Sequence, residues 1–239
     1  MNKPVRFGVI SASPMAESHM TAIRDNADAV LTAVCDTDLE KAQRAAAKYQ
    51  LPPERVFADY HALLALQDVD AVVICTPDQL HRQMTVDALQ AGKHVLCEKP
   101  MALTRKDCAA MIRVGEESGR KLMIGQICRY TPGFRRAKEL IDSGAIGELF
   151  FVESEYAHDY EKIIPDTSNW RADPLRSGFL GGGCHAVDLL RWIAGDPVEV
   201  MAYANKKMLT HLPTDDCTIA IMKLSLIHIS EPTRHAQIS

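Results

Sequence analysis

The sequence predicts an α/β protein whose first half is a doubly wound parallel sheet. Short runs rich in β-branched residues recur at Val5–Ile10, Val30–Cys35, Ala71–Cys75, His94–Cys97 and Leu122–Gly125. Stretches of helical length lie between them, and strands alternating with helices fold as right-handed βαβ units. A composition of 47% hydrophobic and 24% charged residues over 239 positions supplies a sizeable core for one or two domains. The alternation stops near residue 124, which sets a boundary between a first domain, 1–124, and a second, 125–223.

Each element has a local cause. Val5–Ile10 leads into a helix over Met15–Asp25. Val30–Cys35 is closed by Asp36, and Thr37 or Asp38 caps a helix over Leu39–Tyr49 that Pro52-Pro53 stops. His61–Leu66 reads as a short helix. Ala71–Cys75 is a buried strand turned by Thr76-Pro77-Asp78, and the helix over Leu80–Gln90 ends at Gly92. His94–Cys97 runs into Glu98-Lys99-Pro100. Thr104 caps a helix that reaches about Ser118, with Gly119 beyond it. Past residue 124 come a helix over Pro132–Ser143, a strand-like Leu149–Ala157 and a long loop over His158–Ser177. A loop of that length within a domain is usually functional or mobile. A triple-glycine turn, Gly181-Gly182-Gly183, then precedes a helix over Ala186–Ala194 and strands over Val198–Ala204 and Cys217–Lys223.

Composition excludes several function classes. A net charge of −4 gives no electrostatic reason to bind nucleic acid or an acidic membrane. No apolar run approaches the roughly 20 residues of a membrane span, and no signal-peptide core follows Met1. The seven cysteines are odd in number and lack Cys-x-x-Cys spacing, which reads as reduced thiols in a cytoplasmic protein. His158 and Asp159 have no third ligand at metal-binding spacing, so no metal site is expected.

Residues 224–239 stand apart. Leu224–Arg234, Leu-Ser-Leu-Ile-His-Ile-Ser-Glu-Pro-Thr-Arg, resembles, codon for codon, the translation of a transposase adaptor used in sequencing libraries. The expectation is a gene fragment read into adaptor DNA, with a non-native tail over 224–239 and a second domain lacking later strands.

A dinucleotide fold places glycines in a G-x-G-x-x-G/A pattern at the first strand-to-helix turn. The corresponding residues are Ser11-Ala12-Ser13-Pro14-Met15-Ala16, with serines at both leading glycine positions and Ala16 at the third. Serine is small and its hydroxyl can bond a phosphate, but it adds a Cβ where none is preferred. Asp36 ends the second strand, where an acid receives the ribose hydroxyls and repels a 2′-phosphate; this favours NAD over NADP. The alternative for Asp36 is a helix cap. Thr76, Pro77 and His81 follow the next productive strand end; His81 either lines the cofactor cleft or is an ordinary first-turn histidine.

Glu98-Lys99-Pro100, Cys75-Thr76-Pro77 with His81, Arg129-Tyr130-x-Pro132, and Trp170-Arg171 followed by Gly181-Gly182-Gly183-Cys184-His185-Ala186-Val187-Asp188 occur in one order. This set resembles the glucose–fructose oxidoreductase / inositol dehydrogenase (Gfo/Idh/MocA) family over residues 5 to about 223. The resemblance implies an N-terminal Rossmann domain and a C-terminal α/β domain with an open, mostly antiparallel sheet. It also implies NAD(P)-dependent oxidation or reduction of sugars, polyols and derivatives, by a homo-dimer or tetramer. Lys99 matches the family's catalytic lysine, His185 the histidine of its Asp-x-x-x-His-x-x-Asp motif, and Asp188 the second aspartate. Gly181 stands where the first aspartate belongs.

The chemistry of these groups fits alcohol oxidation. His185 is the candidate base for the hydroxyl proton, and Lys99 the donor to the reacting oxygen. Glu98, beside the cofactor, pairs with Lys99 or a neighbour. Asp188 either orients His185 or pairs with Arg191 or another partner. Arg129, Tyr156, His158, Trp170 and Arg171 are candidate sugar contacts. Two other readings stay open: a non-catalytic sugar or nucleotide sensor, suggested by Ser11, Ser13 and Gly181, and an NAD-assisted glycoside hydrolase.

Overall fold

The computed structural model describes residues 3–226. The chain divides into two units, Met1–Gly125 and Gln126–Ser239.

The first unit runs β1 (Val5–Ile10), α1 (Pro14–Arg24), β2 (Ala29–Cys35), α2 (Leu39–Lys48), β3 (Val56–Phe57), α3 (Tyr60–Leu64), β4 (Ala71–Ile74), α4 (His81–Gln90), β5 (His94–Cys97), α5 (Arg105–Ser118) and β6 (Leu122–Ile124). The sheet order is β3-β2-β1-β4-β5-β6, and every pairing is parallel. β1 therefore has β2 on one side and β4 on the other. The order reverses there, which opens a crevice at the C-terminal ends of those strands. β3 was not anticipated from the sequence, because two residues leave no periodicity to read.

Both faces of the sheet are buried, so the central strands read as continuous apolar runs. Alternate residues of β4 feed opposite cores: Val72 and Ile74 join Leu63, Leu89 and Met111, while Val73 joins Val9, Met20 and Val34. Gly8 is required by packing, since a Cβ there would lie 2.6 Å from Leu63 Cδ2. The helices are capped as their sequences suggest. The Asp38 carboxylate accepts from the Lys41 N–H, Thr104 Oγ1 accepts from the Asp107 N–H, and Gly119 ends α5 at φ 63°.

The second unit contains α6 (Pro132–Asp142), α7 (Cys184–Ala194), β7 (Pro197–Asn205) and β8 (Cys217–Leu224). β7 and β8 form a two-stranded antiparallel sheet. Ile164, Ala172, Leu209 and Leu212 gather beside it into a small core with Tyr160. Val198, Val200, Met201 and Tyr203 of β7 and Ile219 and Ile221 of β8 are exposed.

Leu149–Ala157 is not a strand. Among the described residues its backbone has no ladder partner, and Phe150 and Phe151 are exposed. The triple glycine is not an open turn: Phe179–Gly183 is a single π-helical turn running directly into α7, which puts His185 inside the helix rather than before it. Most of the stretch 224–239 lies outside the described residues. Its described start is tied to the fold, because the Ser225 and Leu226 N–H groups donate to the Asp196 and Ala194 carbonyls and Leu224 is buried.

Candidate functional site

In the first unit, the turn after β1 adopts the conformation that glycine normally supplies. Ser11 has φ 106°, a left-sided backbone that a side chain disfavours. Its N–H donates to the Cys35 carbonyl, which ties the turn to β2. Asp36 completes the tie. Its Oδ2 accepts from the Ala12 N–H at 2.7 Å and its Oδ1 from the Asp38 N–H at 2.9 Å. Asp36 thus braces the turn, while Asp38 does the helix capping. Ser13 Oγ caps α1 by accepting from the Ala16 N–H, and it donates to the Cys75 carbonyl. That hydroxyl therefore joins the ends of β1 and β4. Met15 is exposed on the first turn of α1, beside buried Ala16.

At the end of β4, Thr76 Oγ1 lies 3.5 Å from Met84 Sδ, and Pro77 opens a 3₁₀ turn over Asp78–Leu80. His81 is placed in the interior and not on a cleft wall. It is fully buried, with Nδ1 2.8 Å from the Pro100 carbonyl and Nε2 3.0 Å from the Thr76 carbonyl. A first-turn histidine between two carbonyls holds the β4 and β5 turns together, which leaves it no open face.

At the end of β5, Glu98 is also buried. Its Oε1 lies 2.8 Å from His19 Nε2, and its Oε2 accepts from the Lys99 N–H at 3.1 Å. Burial pushes this carboxyl up, but the His19 contact and the Lys99 N–H outweigh it and hold the group below its usual range. Glu98 is thus a structural brace, with both oxygens engaged within the protein. His19, its partner on α1, carries no motif that the sequence could have exposed. Lys99 stands half-buried at this strand end.

In the second unit, His185 is buried in the first turn of α7, with Nδ1 3.7 Å from Cys128 Sγ. The Tyr156 ring centroid is 5.7 Å from that of His185, and Tyr156 stacks on His158 at 4.6 Å. Arg171 lies over the Trp170 ring at 4.2 Å. The structure thus groups Tyr156 and His158 with His185. Of the two alternatives for Asp188 it shows the pairing, with Arg129 as the partner: Arg129 grips the Asp188 carboxylate through Nε at 2.7 Å and Nη2 at 2.6 Å. Arg191 instead pairs with Asp196. A planar guanidinium matches a carboxylate bidentately, which fixes both side chains in one arrangement. Sequence reading missed Cys128 and Arg176. Arg176 is buried against the Trp170 ring at 5.1 Å, and its spacing from His185 belongs to no motif.

All seven cysteines are free thiols. Burial pushes Cys35 and Cys97 up to about 12, which removes them from thiolate chemistry. Among the described residues no cluster of three or more His, Cys, Asp or Glu side chains could hold a metal, and no helix is long and apolar enough to cross a membrane.

Known proteins share this architecture. The chain is 34% identical over 190 residues to a D-xylose 1-dehydrogenase [NADP(+)] of Haloarcula marismortui, a match covering 79% of this chain and 52% of that protein. It is 32% identical over 194 residues to an inositol 2-dehydrogenase of Pseudomonas savastanoi pv. phaseolicola, covering 80% and 55%. The chain thus spans about half the length of these relatives. Among solved structures, the WlbA dehydrogenase from Bordetella pertussis, in complex with NADH and UDP-GlcNAcA, superposes with a TM-score of 0.80 at 28% identity, covering 92% of this chain and 67% of that one. The GFO/IDH/MocA C-terminal domain profile matches residues 134–229, reaching past Leu224. The profile of the oxidoreductase family with an NAD-binding Rossmann fold matches residues 5–126, and the chain belongs to that Gfo/Idh/MocA family.

Proposed function

We propose that the protein is an NAD-dependent oxidoreductase that moves a hydride between a nicotinamide and a secondary alcohol of a sugar, cyclitol or derivative. The observation that carries this reading is the turn after β1. Ser11 takes up a positive φ in spite of its side chain, and Asp36 braces the turn from the end of β2. A first position kept in the glycine conformation without glycine retains the tight strand-to-helix turn of a dinucleotide fold. Ser11, Ser13, Met15, Ala16 and Asp36 would hold the adenosine and pyrophosphate half, and Thr76 and Pro77 the far side of the crevice. The carboxylate of Asp36 supports NAD over NADP.

When bound, the nicotinamide supplies the hydride acceptor or donor. The rest belongs to the chain. His185 takes the hydroxyl proton, and its burial against Cys128 and Tyr156 holds the ring in one orientation. Lys99 donates to the oxygen on which charge develops, from a backbone fixed by Glu98. A cytoplasmic location is supported by the free thiols, and a homo-dimer or tetramer by the apolar residues exposed on β7 and β8.

NADH titration by fluorescence tests the first half of the reading, and no binding at millimolar cofactor overturns it. NAD reduction across a sugar and polyol panel tests the second. Lys99→Ala and His185→Ala are expected to lower turnover by about 10²-fold or more while cofactor affinity stays near wild type. Gly181 favours one rival, a non-catalytic sugar or nucleotide sensor. Cofactor binding without turnover across the whole panel would decide for it.

A further inference from the structure

α1 touches the sheet's C-terminal edge at two points. At its start, Ser13 Oγ accepts from the Ala16 N–H and donates to the Cys75 carbonyl, which ties the nucleotide turn to the end of β4. Further along, His19 reaches the end of β5, where its Nε2 lies 2.8 Å from Glu98 Oε1. The two side chains are 19% and 9% exposed. Glu98 is enclosed on its other sides. Its N–H donates to the Ile74 carbonyl, and its Oε2 accepts from the Lys99 N–H at 3.1 Å. A Cβ built on Gly125, just past β6, would lie 3.2 Å from Oε1, so the bare backbone there leaves the room that the carboxylate fills.

A carboxyl held below its usual range in spite of burial is an anion, and an anion only accepts. His19 therefore presents an N–H to one oxygen, and the backbone of Lys99 presents one to the other. A donor on each oxygen stops the carboxylate from turning, and a charge-assisted hydrogen bond is strong where water is scarce. The sheet does not need this pair, because β5 is already paired with β4 on one side and β6 on the other. What the pair adds lies one residue past the strand, at the backbone that carries the lysine. We infer that His19 is a positioning residue for the reaction proposed above: through Glu98 it fixes the backbone from which Lys99 reaches the reacting oxygen, and it registers that lysine against the nucleotide turn at the start of the same helix. The inference rests on the oxidoreductase reading and adds to it a residue that acts only through another.

Two variants of the full chain test it. His19→Leu fills the space without a donor, and His19→Gln keeps an N–H at similar reach. Amide NMR reads the brace without turnover. In His19→Leu the Lys99 amide proton is expected to shift upfield and to exchange at least about tenfold faster, the worth of one charge-assisted hydrogen bond. In His19→Gln it should stay near wild type. In turnover, His19→Leu should lower kcat and kcat/KM together by about 10- to 10²-fold with NADH affinity unchanged, because a misplaced donor is felt in the transition state and not in cofactor binding. His19→Gln should recover most of that loss. An unmoved Lys99 amide in His19→Leu, equal kcat for the two variants, or a fall in NADH affinity that matches the fall in kcat each overturns the inference, the last by making His19 a support of the whole unit. Where His19→Leu does not fold by circular dichroism, His19→Asn, whose amide stops short of Glu98, takes its place on the same readouts. The oxidoreductase reading fails separately, when the wild type neither binds NADH nor oxidises any sugar or polyol, and that failure leaves the response of the Lys99 amide in place.

Discussion

Arg129 and Asp188 are joined by two parallel hydrogen bonds, Nε to Oδ2 at 2.7 Å and Nη2 to Oδ1 at 2.6 Å. The pair ties the 3₁₀ turn Ile127–Tyr130 to α7, on which Asp188 lies one turn past His185. The Asp188 side chain is 12% exposed and that of Arg129 40%. Asp188→Ala should therefore cost about 1–2 kcal/mol, less than a fully buried pair because solvent still reaches the guanidinium. The denaturation midpoint checks this. Asp188→Asn, which keeps one acceptor, is expected to lie between wild type and alanine; equal midpoints for all three proteins would show that the pair adds nothing.

Ser11→Gly should stabilise the first unit. A non-glycine residue at φ 106° carries strain of about 1–3 kcal/mol. Glycine removes it, at a backbone-entropy cost of about 0.5–1 kcal/mol and with loss of the 3.1 Å contact from the Ser13 N–H to Ser11 Oγ. The net expectation is a gain of up to about 1 kcal/mol, seen as a higher melting temperature, and NADH affinity at least equal to wild type. A lower melting temperature would mean that the Ser11 hydroxyl outweighs the strain.

The first unit was legible because its signals are local and repeated. The β4 run is apolar throughout since both its faces are buried, and Asp38 and Thr104 announce their helices by chemistry alone. The second unit was less legible for physical reasons. Leu149–Ala157 has strand composition, but a strand exists only when another backbone pairs with it. Gly181–Gly183 reads as a turn, since nothing in glycine itself distinguishes a turn from a π-helical step. At the site, Ser11 was visible as a departure, but its dihedral was not. Arg176 was invisible because it meets Gly181 only through the winding of the chain between them. His81 and Glu98 stood out as motif residues, and only their burial distinguishes a brace from a ligand contact.

Acid should weaken the first unit through Asp70. Arg6 donates to this carboxylate through its backbone N–H and its Nε, both at 2.9 Å, and through Nη2 at 2.6 Å. The Arg6 side-chain bonds, against a smaller opposing effect of burial, lower the carboxyl from the usual 3.8 to about 2. A folded-state value below the unfolded one contributes stability that is complete above the ordinary carboxylate range and is lost as the pH falls from about 4 towards 2. The side chains are 42% and 38% exposed, so screening holds the contribution to about 1 kcal/mol or less. Asp70→Asn should lower stability at neutral pH and flatten this part of the acid limb in a pH series of urea melts. An unchanged acid limb would assign the loss to other carboxylates.

His81→Phe should be the most damaging of these changes while touching no predicted substrate contact. The imidazole is fully buried and spans the turns after β4 and β5, between the Thr76 and Pro100 carbonyls. Phenylalanine fills the volume but offers no donor, and leaving buried carbonyls unpaired costs about 1–3 kcal/mol for each group orphaned. A neutral imidazole carries one N–H and satisfies one of the two carbonyls, so the loss in urea denaturation should be about 1–3 kcal/mol. Because Pro100 follows Lys99, the variant should also loosen the segment that carries the lysine. Hydrogen exchange at the Lys99 and Met101 amides is therefore expected to accelerate more than at β2, which pairs with β1 and β3 and with neither β4 nor β5. Uniform acceleration across the unit would mean that His81 supports only global stability and does not hold the Lys99 turn.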